Sequence, residues 1–197
     1  NQIASPGGIL AVTFTNKAAK EMLVRISAQL PINPRGMWVG TFHGLCNRFL
    51  KKPYQDASLP QIFQILDSAD QKSAIKRVMK KMNIDEDFLP SKEVLYFING
   101  NKEEGVRSNA YKAFDDISEK KNAIYKAYED QCLKEGVVDF AELLLRCLEL
   151  FQNKPMIREH YQSIFKHILV DEFQDTSKLQ YEWLKLLTAK NSFIFAV

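Results

Sequence analysis

The chain has 197 residues, 46% of them hydrophobic and 26% charged, enough for one or two domains with the composition of an ordinary soluble globular protein. Lys and Arg exceed Asp and Glu by only three, so the overall charge does not indicate nucleic-acid binding, and any such prediction must rest on local patches. The apolar runs are too short to span a bilayer and the polar start is no secretory signal, so we expect a cytoplasmic protein with no membrane partner and with reduced cysteines.

Residues 1–51 alternate between strand and helix patterns. The apolar stretch from Ile9 to Phe14 predicts a buried strand, and Thr15 or Asn16 can cap the helix that follows. Two prolines, Pro31 and Pro34, are expected to end this helix. Its apolar residues form one stripe at helical spacing, made of Ala18, Ala19, Met22, Leu23, Ile26 and Leu30.

The same order is then repeated. A short strand is predicted from Met37 to Gly40, and a helix from Phe42 to Leu50. The inward residues of that helix are Leu45, Cys46 and Phe49. Alternation of strand and helix indicates a parallel sheet with helices on its faces.

Residues 52–136 show helical patterns and no convincing strand. Long helices are predicted from Asp67 to Met82 and from Asp116 to Lys134, and Ser91 can cap a shorter helix that Asn99 and Gly100 stop. The residues predicted to point inward from the long helices are Ile75, Val78, Met79, Met82, Ile117, Ile124, Ala127 and Tyr128. We therefore expect an all-helical insertion between two strands of the α/β domain.

Residues 137–197 return to the α/β pattern. Asp139 starts a helix with a predicted buried stripe of Phe140, Leu143, Leu144, Leu148 and Phe151. A strand is predicted from His167 to Val170, and another from Ser192 to Val197. Between them, Ser177 and Gln180 form the capping box of a helix.

Two adjacent carboxylates, Asp171 and Glu172, follow the His167 to Val170 strand. Ligands of open α/β sheets bind at the carboxyl ends of the strands. One carboxylate there can hold Mg²⁺, and the next can orient an attacking water. The alternative is an acidic, solvated turn, but the Gln174, Asp175 and Thr176 that follow favour the nucleotide-hydrolysing site.

The stretch from His167 to Thr176 resembles the Walker B segment of the UvrD/Rep-like superfamily 1 helicases. Three other segments resemble family motifs in the family's order: Ala11 to Met22 with Arg25 and Ile26, Gly40 to Cys46 with Arg48, and Val138 to Leu144. The resemblance implies an incomplete RecA-like parallel sheet with flanking helices, the 1A domain, in residues 1–51 and 137–197. Residues 52–136 fall where the family inserts its helical 1B subdomain.

The resemblance also implies roles at the hydrolysis site. Asp171 is expected to bind Mg²⁺ and Glu172 to act on the catalytic water, with ATP as the nucleotide. Gln174, Asp175 and Thr176 are expected to couple this site to neighbouring motifs. For Thr176 and Ser177, simple helix capping is an equal alternative.

DNA contacts are implied for two segments. Phe14 can stack on a base while the residues around it, Thr13, Thr15, Asn16 and Lys17, supply phosphate donors near a helix N-terminus. The second segment is Thr41, Phe42 and His43. Phe14 could instead be buried in the core and not stack on a base. Arg25, which belongs to the same family-like segment, could instead be an ordinary solvated helix residue.

Two further patterns can be explained either by function or by ordinary structure. The basic helix side from Lys72 to Lys81 suits either duplex phosphates or a solvated charged surface. For Asp139, the Asp-x-x-Glu spacing to Glu142 favours capping of the helix that follows.

The resemblance implies an ATP-dependent 3′–5′ DNA helicase that moves on single-stranded DNA and unwinds duplex DNA. The 197 residues contain no Gly-Lys-Thr phosphate loop, lack an initiator Met and stop within an apolar run, so we expect a fragment, inactive alone, that needs the remainder of its chain. Two alternatives stay open: the motor part of a RecB- or AddA-like helicase–nuclease, and a non-catalytic DNA-binding module with a degenerate motor fold.

Overall fold

The computed structural model describes residues 5–29, 34 and 36–197. The predicted ends of the first helix stripe, Leu30 and Pro31, lie outside the described residues. The chain divides into two compact units, one made of Asn1–Ala57 with Arg146–Val197 and the other of Ser58–Leu145. The domain boundaries predicted at residues 52 and 136 stay predictions.

Strands and helices alternate at both ends of the chain, and helices dominate its middle. The strands are β1 (Ile9–Thr13), β2 (Trp38–Thr41), β3 (Gln64–Leu66), β4 (Val137–Asp139), β5 (His167–Val170) and β6 (Phe193–Ala196). The helices are α1 (Asn16–Gln29), α2 (Phe42–Lys51), α3 (Ser68–Lys81), α4 (Ser91–Glu103), α5 (Asp116–Glu135), α6 (Phe140–Asn153), α7 (Pro155–Ile164) and α8 (Lys178–Leu187). None of the helices within the described residues is long and apolar enough to cross a membrane.

The first unit is built on a four-stranded sheet in the order β2-β1-β5-β6. Each neighbouring pair is parallel. The central strand β1 is buried along Leu10, Ala11 and Val12, as expected for a parallel strand covered on both faces. The predicted parallel sheet with flanking helices is therefore confirmed.

The core of the first unit is rich in aromatic rings. Phe49 of α2 lies with its ring centroid 5.7 Å from that of Trp183 of α8 and 5.4 Å from that of Phe151 of α6. Tyr161 of α7, a helix that the sequence patterns did not predict, packs edge-on to Phe49 at 4.6 Å. On α1, only Ala19 of the predicted stripe is buried and its other described members are half-buried.

The second unit packs α3, α4 and α5 around one apolar core, which includes Ile75, Val94, Ile98, Ile124 and Tyr128. It also contains a second sheet, since β3 pairs with β4 in parallel from Gln64↔Val137 to Leu66↔Asp139. The prediction of an all-helical insertion is therefore wrong. Both strands are only three residues long and β3 is largely exposed, so neither carries an alternating apolar pattern.

Three helix details also differ from prediction. Helix α4 continues through Asn99 and Gly100 to Glu103, because open space surrounds Gly100 and a lone helical glycine costs only about 1 kcal/mol. Its N-cap is Pro90, not Ser91. Ile117 and Phe140 were predicted to point inward but are half exposed, since both lie in the first turn of their helices, before the buried segment.

Candidate functional site

The parallel register brings three predicted motifs to one edge of the sheet. Thr13 is paired with Thr41, and Val12 is paired with Val170. The next residue along each of the three strands therefore belongs to the same edge: Phe14 after β1, Phe42 after β2 and Asp171 after β5. This is the carboxyl edge, where ligands of open parallel sheets bind.

Asp171 is fixed by its neighbours on β1. Its backbone N–H donates to the carbonyl oxygen of Val12 at 3.0 Å. The Thr13 hydroxyl donates to Asp171 Oδ2 at 3.4 Å. Thr13 is only 2% exposed, so its side chain is directed to this carboxylate and not to the surface. This burial does not favour a contact of Thr13 with a DNA phosphate, which stays a prediction.

Glu172 leaves the strand in an unusual backbone conformation. Its φ of 51° and ψ of 47° lie in the left-handed region, which a non-glycine residue adopts at a cost. The turn is held by two backbone hydrogen bonds, from Phe173 N–H to the Val197 carbonyl at 2.8 Å and from Asp175 N–H to the Glu172 carbonyl at 2.9 Å. The result is an exposed carboxylate next to the half-buried Asp171.

The residues after Glu172 form a short turn into α8. Gln174 and Asp175 are exposed, whereas the Thr176 hydroxyl donates to the carbonyl of Phe173 at 2.8 Å. Ser177 caps α8, and both bonds of its capping box with Gln180 are present. The predicted capping box is confirmed.

Phe14 and Phe42 occupy different environments at this edge. The two rings meet edge-on, with centroids 5.5 Å apart. Phe42 is 1% exposed and packs against Trp183 at 5.7 Å, whereas Phe14 is only half-buried. A ring with so little exposed surface is poorly placed to stack on a base, so this burial favours core packing over the DNA contact of Phe42, which stays a prediction.

Helix N-termini flank these rings. Thr15 caps α1 by accepting from the N–H of Ala18 at 3.1 Å, which leaves Asn16 and Lys17 exposed in the first turn. Thr41 caps α2 by accepting from the N–H of Gly44 at 3.2 Å. Burial lowers the pKa of His43, the second residue of α2, below its usual value and favours its neutral imidazole.

The carboxylates suit a metal that is shared with a phosphate. Among the described residues, no group of three or more His, Cys, Asp and Glu side chains could hold a metal by itself. Mg²⁺, however, is commonly bound through one or two carboxylates together with substrate phosphates. A single half-buried carboxylate at the ligand-binding edge, Asp171, fits this mode.

The basic side of α3 is engaged in surface pairs. Lys76 is 2.9 Å from Glu86, and Arg77 is 3.4 Å from Glu135. The four side chains of these pairs are between 36% and 57% exposed. These contacts favour the solvated charged surface over a phosphate-binding one, because part of the positive charge already has acidic partners.

A buried ionic cluster in the second unit was not predicted. Lys102 Nζ lies 2.6 Å from Asp139 Oδ2 and 2.9 Å from Glu142 Oε2, and all three residues are buried. The Tyr128 hydroxyl donates to Asp139 Oδ2 at 2.8 Å, and Arg107 Nη1 donates to Glu142 Oε2 at 2.8 Å. The Glu142 N–H also donates to Asp139 Oδ1 at 2.8 Å, which confirms the predicted capping role of Asp139.

Burial alone would lower the pKa of Lys102, but the attraction of Glu142 and Asp139 outweighs it and raises the pKa. The lysine therefore stays charged inside the unit. A signal for this position was available in the sequence, because Val94, Ile98 and Lys102 follow each other at a spacing of four and share one side of α4. Because α4 was predicted to stop at Asn99 and Gly100, Lys102 was not placed on this side of the helix.

Comparison with known proteins identifies a family and several relatives. The family described as UvrD/REP helicase N-terminal domain matches residues 1–197. DNA helicase II of Haemophilus influenzae is 50% identical over 198 residues, covering 98% of this chain and 27% of that protein. DNA helicase II of Escherichia coli is 48% identical over 194 residues with the same coverage. ATP-dependent DNA helicase PcrA of Staphylococcus epidermidis is 39% identical over 188 residues, covering 94% of this chain and 26% of that protein. The chain thus spans about a quarter of the length of these relatives.

Proposed function

The chain belongs to the UvrD/REP helicase family, and from this premise we propose that it is the part of an ATP-dependent 3′–5′ DNA helicase that joins ATP hydrolysis to the grip on single-stranded DNA. One observation carries the proposal. The candidate hydrolysis carboxylates follow β5, and the candidate base-stacking ring follows β1, the adjacent parallel strand. Only one strand-to-strand pairing separates the two candidate sites, which supports a direct coupling between them.

At the hydrolysis site, Glu172 orients the attacking water and accepts its proton. Its exposed position at the carboxyl edge supports this role. Asp171 would hold Mg²⁺, which supplies charge stabilisation to the phosphates when bound. The Thr13 hydroxyl orients the Asp171 carboxylate. The turn formed by Gln174, Asp175 and Thr176 couples the hydrolysis site to the neighbouring motifs.

At the DNA site, one base of a single strand stacks on Phe14, and Phe42 supports the ring from below. Asn16 and Lys17, in the first turn of α1, hold the adjacent phosphates, where a helix N-terminus favours negative charge. Thr15, Thr41 and His43 shape the same edge as caps and first-turn residues. These contacts involve no base-specific groups, as suits a motor that must move along any sequence.

The second unit, Ser58–Leu145, corresponds in this proposal to the family's 1B subdomain next to the duplex. Its buried ionic cluster includes Asp139 and Glu142 of the family-like segment Val138 to Leu144, and it keeps that segment in place. The relatives are named as DNA helicases, which favours a helicase over a helicase–nuclease.

The test of the hydrolysis site is Glu172→Gln in the complete helicase that contains this chain. Glutamine keeps the shape but cannot accept the proton, so steady-state ATP turnover should be abolished while ATP and DNA binding persist. Glu159→Gln, the same change at an exposed carboxylate of α7, is the matched control and should retain most of the turnover. Normal turnover in the Glu172 variant would remove Glu172 from the mechanism.

The 197-residue chain alone should neither hydrolyse ATP nor unwind DNA, because it contains no Gly-Lys-Thr loop to hold the phosphates. Phosphate release by the purified chain, measured with and without single-stranded DNA, checks this. Turnover that matches the complete helicase and disappears with Glu172→Gln would contradict it.

A further inference from the structure

Helix α2 lies back along the strand that precedes it. β2 ends at Thr41 and α2 begins at Phe42, so the chain reverses its direction without a loop. At this turn the Gly44 N–H donates to the Thr41 hydroxyl oxygen at 3.2 Å. One step further along, a Cβ atom on Gly40 would come within 3.3 Å of the Leu45 Cγ atom. The helix therefore approaches the strand closely from its first turn onwards.

The last turn of α2 is fastened to the beginning of the same strand. Arg48 Nη1 donates to the carbonyl oxygen of Met37, the residue before β2, at 2.8 Å. The guanidinium carbon of Arg48 lies 3.8 Å from the centroid of the Trp38 ring, in cation–π geometry. The next helix residue, Phe49, stacks on Trp38 with centroids 4.6 Å apart and 20° between the ring planes. Arg48 is thus the polar part of a contact that closes the β2–α2 unit opposite its covalent turn.

An ordinary solvated arginine is the alternative explanation. Arg48 is exposed overall, and long charged side chains commonly lie along a surface with only the charged end in water. Its guanidinium, however, has two partners, a backbone carbonyl and an aromatic ring, and both belong to the start of β2. A planar guanidinium can donate in its plane and stack with its face at the same time, which a lysine ammonium cannot do.

We propose that Arg48 is a positioning residue for the DNA grip, which fixes the direction of α2 and thereby holds the first turn of this helix at the carboxyl edge of the sheet. The inference rests on the proposed function. The first turn carries Phe42, whose ring centroid lies 5.5 Å from that of Phe14, the candidate base-stacking ring. Apolar packing of Phe49 has no preferred direction, whereas the hydrogen bond of Arg48 has one. Without Arg48, α2 stays attached at its first turn but can change its tilt, and Phe42 then moves relative to Phe14.

The experiment compares Arg48→Met with Arg158→Met in the complete helicase that contains this chain. Methionine keeps much of the aliphatic stem but has no charge and no N–H donor. Arg158 is the matched control, because its Nη1 also donates to a backbone carbonyl of the same unit, that of Phe151 at 3.2 Å. That hydrogen bond joins α7 to α6 and does not involve α2.

Hydrogen–deuterium exchange, read from peptides by mass spectrometry, measures the anchoring of α2. Arg48→Met should speed exchange in peptides of α2 more than in peptides of α8, because the expected effect is a local opening. Arg158→Met should leave the exchange of α2 unchanged. Unchanged exchange of α2 in Arg48→Met would overturn the proposal. An equal increase in α2 and α8 would also overturn it, since the variant would then destabilise the whole unit.

ATP turnover titrated with single-stranded DNA measures the positioning. Arg48→Met should raise the DNA concentration for half-maximal turnover by roughly fivefold, as for one lost hydrogen bond, and should leave turnover at saturating DNA close to that of the unaltered protein. Arg158→Met should change neither value. If Phe14→Ala shifts this titration and Arg48→Met does not, the role of Arg48 is wrong and the DNA site stands. If Phe14→Ala leaves the titration unchanged, the proposed DNA site itself is wrong.

Discussion

The Thr13 hydroxyl lies 3.4 Å from Asp171 Oδ2, across two adjacent parallel strands, although 158 positions separate the two residues in the sequence. The candidate metal-binding carboxylate is thus hydrogen-bonded to the last residue of β1, and the candidate DNA-stacking ring of Phe14 belongs to the residue that follows it. The oxygen–oxygen distance is long for a hydroxyl hydrogen bond, which usually measures about 2.7–2.8 Å. A small shift of β1 is therefore sufficient to strengthen or to break this contact.

The first prediction concerns this hydroxyl. In the complete helicase, Thr13→Val should raise the Mg²⁺ concentration needed for half-maximal ATP turnover by roughly fivefold, equivalent to about 1 kcal/mol for one lost hydrogen bond. Thr13→Ser keeps the hydroxyl and is the control, which should stay close to the unaltered protein. A Mg²⁺ titration of turnover measures both variants. If serine shifts the titration as much as valine, packing and not the hydroxyl is responsible.

The second prediction compares the two phenylalanines at the sheet edge. Phe14→Ala should weaken single-stranded DNA binding by the complete helicase by about 1–3 kcal/mol, with little dependence on sequence. Phe42→Ala should instead destabilise the fold by about 3–5 kcal/mol, because it leaves a cavity beside Trp183. Thermal melting and DNA affinity are measured for each variant. A large drop in melting temperature for Phe14→Ala with unchanged affinity would identify Phe14 as a core residue.

The third prediction addresses the buried ionic cluster. Lys102→Met should lower the free energy of unfolding by about 3–5 kcal/mol, because Asp139 and Glu142 both lose a buried cation, at 2.6 and 2.9 Å. Lys76→Met removes a lysine from the exposed pair with Glu86 and should cost no more than about 1 kcal/mol. Urea unfolding followed by circular dichroism compares the two. Equal effects would show that burial does not govern the contribution of Lys102.

The fourth prediction concerns alkaline pH. Desolvation raises the pKa of the Cys132 thiol from its ordinary value of 9.0 to about 11. A raised pKa favours the protonated form in the fold, so this contribution is complete well below pH 9 and is lost as the pH rises towards 11. Cys132→Ala removes the titration. The unaltered chain should therefore lose on the order of 2 kcal/mol more than the variant over this range, measured by urea unfolding at each pH. If the unaltered chain and Cys132→Ala lose the same free energy of unfolding as the pH rises, other groups cause the pH dependence.

Much of the first unit was predictable because its signals are local. Leu10, Ala11 and Val12 form an uninterrupted apolar run, as expected for a strand buried on both faces. Ser177 and Gln180 specify a helix start through two short-range hydrogen bonds. Asp171 and Glu172 follow such a strand, and the parallel register then places them beside β1 without further information.

The remaining features depend on contacts that no sequence window contains. The burial of Phe42 depends on Trp183, far away in the sequence, whereas the DNA contact predicted for it followed from the family resemblance of Thr41, Phe42 and His43. Strands β3 and β4 are three residues each and exist only through their mutual pairing. Lys102 is charged, which normally indicates solvent, and its acidic partners Asp139 and Glu142 become visible only when the helices are packed together.

The central pairing of the first sheet has a consequence for the order in which the chain folds during synthesis. β1 and β2 are made early, but β1 can pair with β5 only after the whole of the Ser58–Leu145 segment has been made. That segment has its own apolar core and mostly short-range helical contacts, which form quickly. Domains synthesised first generally fold as units. The middle of the chain should therefore fold before the sheet of the first unit is complete, and β1, even when paired with β2, keeps its other edge open until β5 has been made.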